Sequence, residues 1–140
     1  MKSCLPFSCF LLILTGVIAL ACGSPAPVPL TNSGIPTSVS LSPATADAQD
    51  YPDGLVQFVA TGYYSTAPYK VMPLKASAWG VCQQNTPSTA VSITDKGLAQ
   101  CQAGASGVFS VFASVGTMCN VIGPCGTGCQ VSGYAELACP

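Results

Sequence analysis

Histidine and arginine are missing from this chain, and charge of either sign is scarce. Four lysines face five acidic residues, 6% of 140 positions are charged, and the formal net charge is -1. Without histidine there is no Ser-His-Asp or Cys-His nucleophile, no imidazole ligand for a metal, and no side chain with an ordinary pKa near neutrality. Four lysines make no basic face for a phosphate backbone, so nucleic acid is not an expected partner. No catalytic residue, metal or cofactor is expected. What the chain does have is 49% hydrophobic residues, 14 Gly, 12 Pro and 9 Cys. At this length that means one small, turn-rich domain with appended segments.

Lys2 is followed by an uncharged run from Leu5 to Leu20, which closes in Ala19-Leu20-Ala21-Cys22-Gly23-Ser24. The run is shorter than the roughly 20 apolar residues of a retained membrane helix, holds Pro6 and Gly16, and meets a small-residue cleavage site. Residues 1–21 therefore read as a signal peptide. Ala19-x-Ala21 suits ordinary signal peptidase. Cys22 after small residues also resembles the lipobox of bacterial lipoproteins, whose cysteine is acylated and becomes the new N-terminus, although Ala19 stands where that pattern prefers Leu. Cysteine parity favours acylation: Cys4 and Cys9 leave with the leader, and removing Cys22 from the remaining seven leaves six, an even set for disulfides. The alternative is a soluble secreted domain with a spare thiol at Cys22. Residues 22–36, with Pro25, Pro27, Pro29 and Pro36 and no charge, form an extended tether from that anchor. By analogy, the lack of an acidic residue just after Cys22 favours the outer membrane of a bacterial cell envelope.

Residues 37–140 form the folded domain. Segments of four to ten residues alternate apolar and polar side chains between Pro, Gly, Asn and Asp clusters, the pattern of an all-β sandwich of about seven strands. Val39 and Leu41 share a face in Ser38–Ser42, and Pro43 ends that strand. In Leu55–Tyr64, Val56, Phe58 and Ala60 point one way and Gln57, Val59, Thr61 and Tyr63 the other. Val108–Val115 sets Phe109, Val111, Ala113 and Val115 on one face. Val131–Cys139 aligns Val131, Gly133, Ala135, Leu137 and Cys139. Shorter strands are expected at Ala76–Cys82, Val91–Ile93 and Leu98–Cys101.

Four short motifs in order carry a resemblance. Val39-Ser40-Leu41-Ser42-Pro43, Val56-Gln57-Phe58-Val59-Ala60-Thr61-Gly62, Ala78-Trp79, and Gly97-Leu98-Ala99-Gln100-Cys101-Gln102-Ala103-Gly104 resemble the group 2 bacterial Ig-like domain over about Thr37 to Val115. The Cys-rich stretch from Cys119 to Pro140 departs from that pattern as a disulfide-rich tail. The resemblance implies an Ig-like antiparallel β-sandwich and a non-enzymatic role, since such domains recur in adhesins and in surface or carbohydrate-handling proteins. A solitary copy on a lipid anchor has nothing to space apart, which favours adhesion or surface interaction over a structural module.

In an exported domain the six cysteines Cys82, Cys101, Cys119, Cys125, Cys129 and Cys139 read as disulfides. Pairing Cys82 with Cys101, across the loop between the Trp79 and Leu98 strands, is the working expectation. The spacing of the last four matches neither CxxC nor a zinc ribbon. Asp47, Asp50 and Asp53 recur every third residue and could hold calcium, but Pro52-Asp53-Gly54 is foremost a turn signal. Lys75 and Ser77 are too ordinary a pair to argue for a nucleophile. Tyr63, Tyr64, Tyr69 and Trp79 are the candidate ligand surface, for a protein or carbohydrate partner, because rigid aromatic faces give large contact area at little entropic cost. Trp79 is more often core in a sandwich, and neighbouring Tyr63 and Tyr64 must face opposite ways.

Overall fold

The computed structural model describes residues 34–116, 125, 129 and 131–140. The expected leader, Cys22, most of the tether and Cys119 lie outside the described residues. Eleven strands in three sheets account for the described secondary structure, together with two 3-10 turns at Ala48–Asp50 and Pro52–Gly54. Among the described residues there is no α-helix, and no helix is long and apolar enough to cross a membrane.

The strands are β1 (Ser38–Ser42), β2 (Thr45–Asp47), β3 (Leu55–Gln57), β4 (Val59–Tyr63), β5 (Lys70–Val71), β6 (Ala78–Gln83), β7 (Thr86–Pro87), β8 (Val91–Ile93), β9 (Leu98–Cys101), β10 (Gly107–Val115) and β11 (Val131–Cys139). One sheet runs β1-β4-β5, a second β2-β11-β10-β6-β7, and a third β3-β9-β8. All pairs are antiparallel except β2 with β11, which is parallel. The expected Leu55–Tyr64 strand is present as β3 and β4, parted at Phe58. The interruption is where the chain changes neighbours: Gln57 pairs with Leu98 of β9, whereas Val59 pairs with Ser42 of β1. Phe58 keeps the backbone in register by donating its N–H to Gly97 O at 2.9 Å. The two three-stranded sheets are therefore joined through one chain segment.

The core draws on all three sheets. Leu41, Val56, Phe58, Ala60, Val91 and Ala99 come from the three-stranded sheets and the joint between them, and they meet Val81, Phe109, Val111, Ala113, Ala135 and Leu137 of the five-stranded sheet. Burial follows the period-two alternation read from the sequence on β11, whereas Thr61 on β4 and Ser114 on β10 are buried against it. On β11, Gly133, Ala135, Leu137 and Cys139 are buried while Tyr134 and Glu136 are exposed. Each fully buried large side chain, such as Phe58, Phe109 or Leu137, contributes about 1.5–3 kcal/mol relative to exposure. Gly133 has a structural reason to lack a side chain, because a Cβ there would lie 2.6 Å from Val39 O. The backbone of β1 crosses β11 at that point, and only glycine lets the two sheets approach so closely.

Two disulfides have both partners among the described residues. Cys101 of β9 is bonded to Cys139 of β11, and Cys82 of β6 to Cys125, with Cα separations of 5.9 and 5.7 Å. Cys129 is disulfide-bonded as well. The expected Cys82–Cys101 pairing is therefore incorrect, and strand alternation gives the reason. Ala99 is buried in the core, so Cys101 two residues on faces inward, whereas Val81 is buried and puts its neighbour Cys82 on the opposite, outer face of its sheet. Cys101–Cys139 links two sheets across the core. Cys82–Cys125 instead holds Cys125 against an outer face, where Tyr134 Oη also donates to Cys125 O at 3.2 Å.

Candidate functional site

The four candidate aromatic residues divide between two places and do not form one platform. Tyr63 ends β4 and is 39% exposed, and Tyr69, just before β5, is 66% exposed. Tyr64 is buried, as the alternation requires of a neighbour of Tyr63, and its N–H donates to Tyr69 O at 2.8 Å. That bond and the Tyr63↔Lys70 pairing close the chain between β4 and β5 into a tip. The Lys70 ammonium lies 6.0 Å from the Tyr63 ring centroid, within cation–π range. Met72, 62% exposed, follows directly after β5. The N-terminal segment arrives at this tip, because Thr37 donates both its N–H and its Oγ1 to Tyr63 O, at 2.7 and 3.0 Å.

Trp79 sits elsewhere. Its register partner on β10 is the buried Ala113, so the indole points inward and is half-buried against the core. It reaches the turn between β8 and β9, where Gly97 has φ +79 and a Cβ would lie 2.8 Å from the ring. Glycine serves both needs there. Thr94 Oγ1 shapes that turn by accepting from Lys96 N–H and Leu98 N–H at 3.3 and 3.1 Å, while Gln57 Nε2 ties it to β3 by donating to Lys96 O at 2.8 Å. Phe58, Ala60, Leu74 and Trp79 are among the lining of a cleft of about 410 Å³, with Lys75, Asp95 and Lys96 also lining it. An apolar lining with a few polar groups suits a small ligand with one apolar face.

The aspartates occupy the opposite end of the β3–β4 segment. Asp47 caps the first 3-10 turn by accepting from Gln49 N–H at 3.0 Å, and Asp53 adopts a left-handed φ of 57 in the second. Asp47, Asp50 and Glu136 line a shallow groove of about 550 Å³, which Asp53 does not join. Among the described residues no three His, Cys, Asp or Glu side chains come together so as to hold a metal ion. Ser77 Oγ accepts from Gly116 N–H at 3.3 Å, and Lys75 lines the Trp79 cleft.

No protein-family model matches the chain, and no curated protein matches it. What the described residues define is a small all-β domain of three sheets in which two disulfides have both partners described and Cys129 is bonded as well.

Proposed function

We propose that the protein is an exported lipoprotein of the bacterial cell envelope, in which acylated Cys22 and the 22–36 tether hold an Ig-like domain that acts by surface contact rather than catalysis. The outer membrane is the favoured address, and the role is adhesion, surface interaction or structural support. The disulfides carry this reading. Cys82–Cys125 and Cys101–Cys139 suit an oxidising compartment, which is where a leader over 1–21 would deliver the chain. Strand order supports the Ig-like part. In the immunoglobulin arrangement strands A, B, E and D form one layer and G, F and C the other. Here β1, β3–β4, β9 and β8 follow the first order, and β11, β10 and β6 the second, with β2, β5 and β7 as additions at the edges. The bridge between sheets joins the E and G positions, unlike the B–F bridge of antibody domains.

The test is the intact mass of the mature protein from membrane and soluble fractions, alkylated without reduction. A membrane species beginning at Cys22, carrying acyl chains and taking up no alkylating group, is expected. A soluble species with one alkylated thiol would replace the reading with ordinary secretion.

The Trp79 cleft favours a second reading, a carbohydrate-binding module, because an indole in an apolar cleft can stack on a sugar ring. Retention on insoluble glycans that is lost in Ala76→Arg, with the thermal transition unchanged, would support it. Equal retention by that variant would reject it.

A further inference from the structure

Exposed apolar side chains gather at the end of the domain where the N-terminal segment arrives. Ile35, Tyr63, Tyr69 and Met72 are 48%, 39%, 66% and 62% exposed, and Lys70 stands among them over the Tyr63 ring. Three observations indicate what covers this patch.

The first is the connection to the anchor. Thr37 bonds to Tyr63 O, so the chain leaves the domain beside the patch. Thirteen residue steps separate Cys22 from Ile35, a reach of no more than about 47 Å at full extension. A domain held from that corner presents this end to the surface it is anchored in.

The second is charge. Lys70 is the charged side chain at the tip, over the Tyr63 ring, whereas Lys75 lies with Asp95 in the Trp79 cleft. Asp47, Asp50 and Asp53 lie at the far end of β3–β4, and Glu136 is with them, since it pairs with Thr45 of β2. From Leu55 to Tyr63 the segment spans about 26 Å at about 3.3 Å per residue. With the tip down on an anionic bilayer, the carboxylates are held back from the surface, Asp53 by about three Debye lengths at about 8 Å each. The opposite orientation would press them against the surface.

The third is side-chain chemistry. Tyrosine favours the boundary between water and acyl chains, and a lysine beside it can reach phosphate while its stem stays apolar.

We propose that the Tyr63–Met72 tip is a membrane-contact surface that lays the domain, tip down, on a bilayer with anionic headgroups. The proposal extends the envelope reading given above, and its test is independent of acylation. The full chain carrying Cys22→Ser, exported through its own leader, is mixed with vesicles of phosphatidylethanolamine and phosphatidylglycerol at millimolar lipid and sedimented. The unacylated protein is expected to co-sediment. Tyr69→Ser with Met72→Ser is expected to weaken binding at least tenfold without changing the thermal transition. Val108→Ser, a change of an exposed apolar residue beside Asp47 and Glu136, is expected to leave binding unchanged. The proposal is overturned if the Cys22→Ser protein stays in solution, if the double variant binds as well as its parent, or if Val108→Ser binds as poorly as the double variant. Failure of acylation would show only in the intact mass, so the two readings fail separately.

Discussion

The end of the domain that holds Tyr63, Tyr69 and Met72 and the end that holds Asp47, Asp50 and Asp53 lie at opposite ends of one chain segment, β3–β4, yet they are closed by different means. At the aspartate end, Gln100 Nε2 donates to Asp53 O and the Cys101–Cys139 bond joins β9 to β11. Glu136 and the aspartates face water there, with Val108 and Leu55 exposed among them, and a covalent link joins the sheets. At the tip the order is reversed. Tyr64 and Val71 are buried while Tyr63, Tyr69 and Met72 remain exposed beside a lysine. The difference separates stability from contact: one end is stapled, and the other keeps apolar surface that its own core does not need.

If that division is right, perturbing the stapled end should cost stability and spare contact. Replacing Cys101 and Cys139 together by Ala should lower stability by about 2–5 kcal/mol. For a domain of this size the thermal transition would fall by about 10 °C or more. Circular dichroism melts measure this, and vesicle binding below the new transition should persist. Gly133→Ala drives a Cβ toward Val39 O and should cost about 1–3 kcal/mol through backbone displacement, read by the midpoint of urea unfolding. Asp47→Ala removes the acceptor of Gln49 N–H and should cost about 0.5–1 kcal/mol, seen as a small shift in the same midpoint. Tyr69→Ser with Met72→Ser should change stability by no more than about 0.5 kcal/mol while abolishing most vesicle binding. A large loss of stability in this last variant would break the division, because it would make the tip part of the core.

Much of this architecture was legible in the alternation of side chains. Val131–Cys139, Val91–Ile93, Leu98–Cys101 and Ser38–Ser42 fall where the pattern places them, and β10 begins one residue earlier, at Gly107. About seven strands were expected and eleven are described. One expected strand is parted at Phe58, and β2, β5 and β7 have only two or three residues each. A period of two leaves no readable trace over so short a stretch, and Thr86-Pro87 carries a residue that usually marks a turn. Disulfide pairing was less legible, since the partner of Cys101 is set by how sheets stack and not by proximity along the chain. Its face could still have been read: Ala99 and Cys101 share one side of β9, and Cys82 alternates with Val81. The aromatic residues followed the same logic. Tyr63 and Tyr64 part to opposite faces, and Trp79 shares the inward face of Val81. Proximity of the tip to the N-terminal segment comes from the pairing of Ser38 with Tyr63, a long-range register that no local pattern contains.

If the two ends differ in what they face, a bilayer should protect one and leave the other untouched. The decisive comparison is hydrogen exchange of the mature protein in phosphatidylethanolamine and phosphatidylglycerol vesicles against that of detergent-free Cys22→Ser protein alone. Exchange is expected to slow across residues 63–72 when the bilayer is present and to stay unchanged across residues 47–54. Equal exchange at both ends, or slowing confined to residues 47–54, would contradict it.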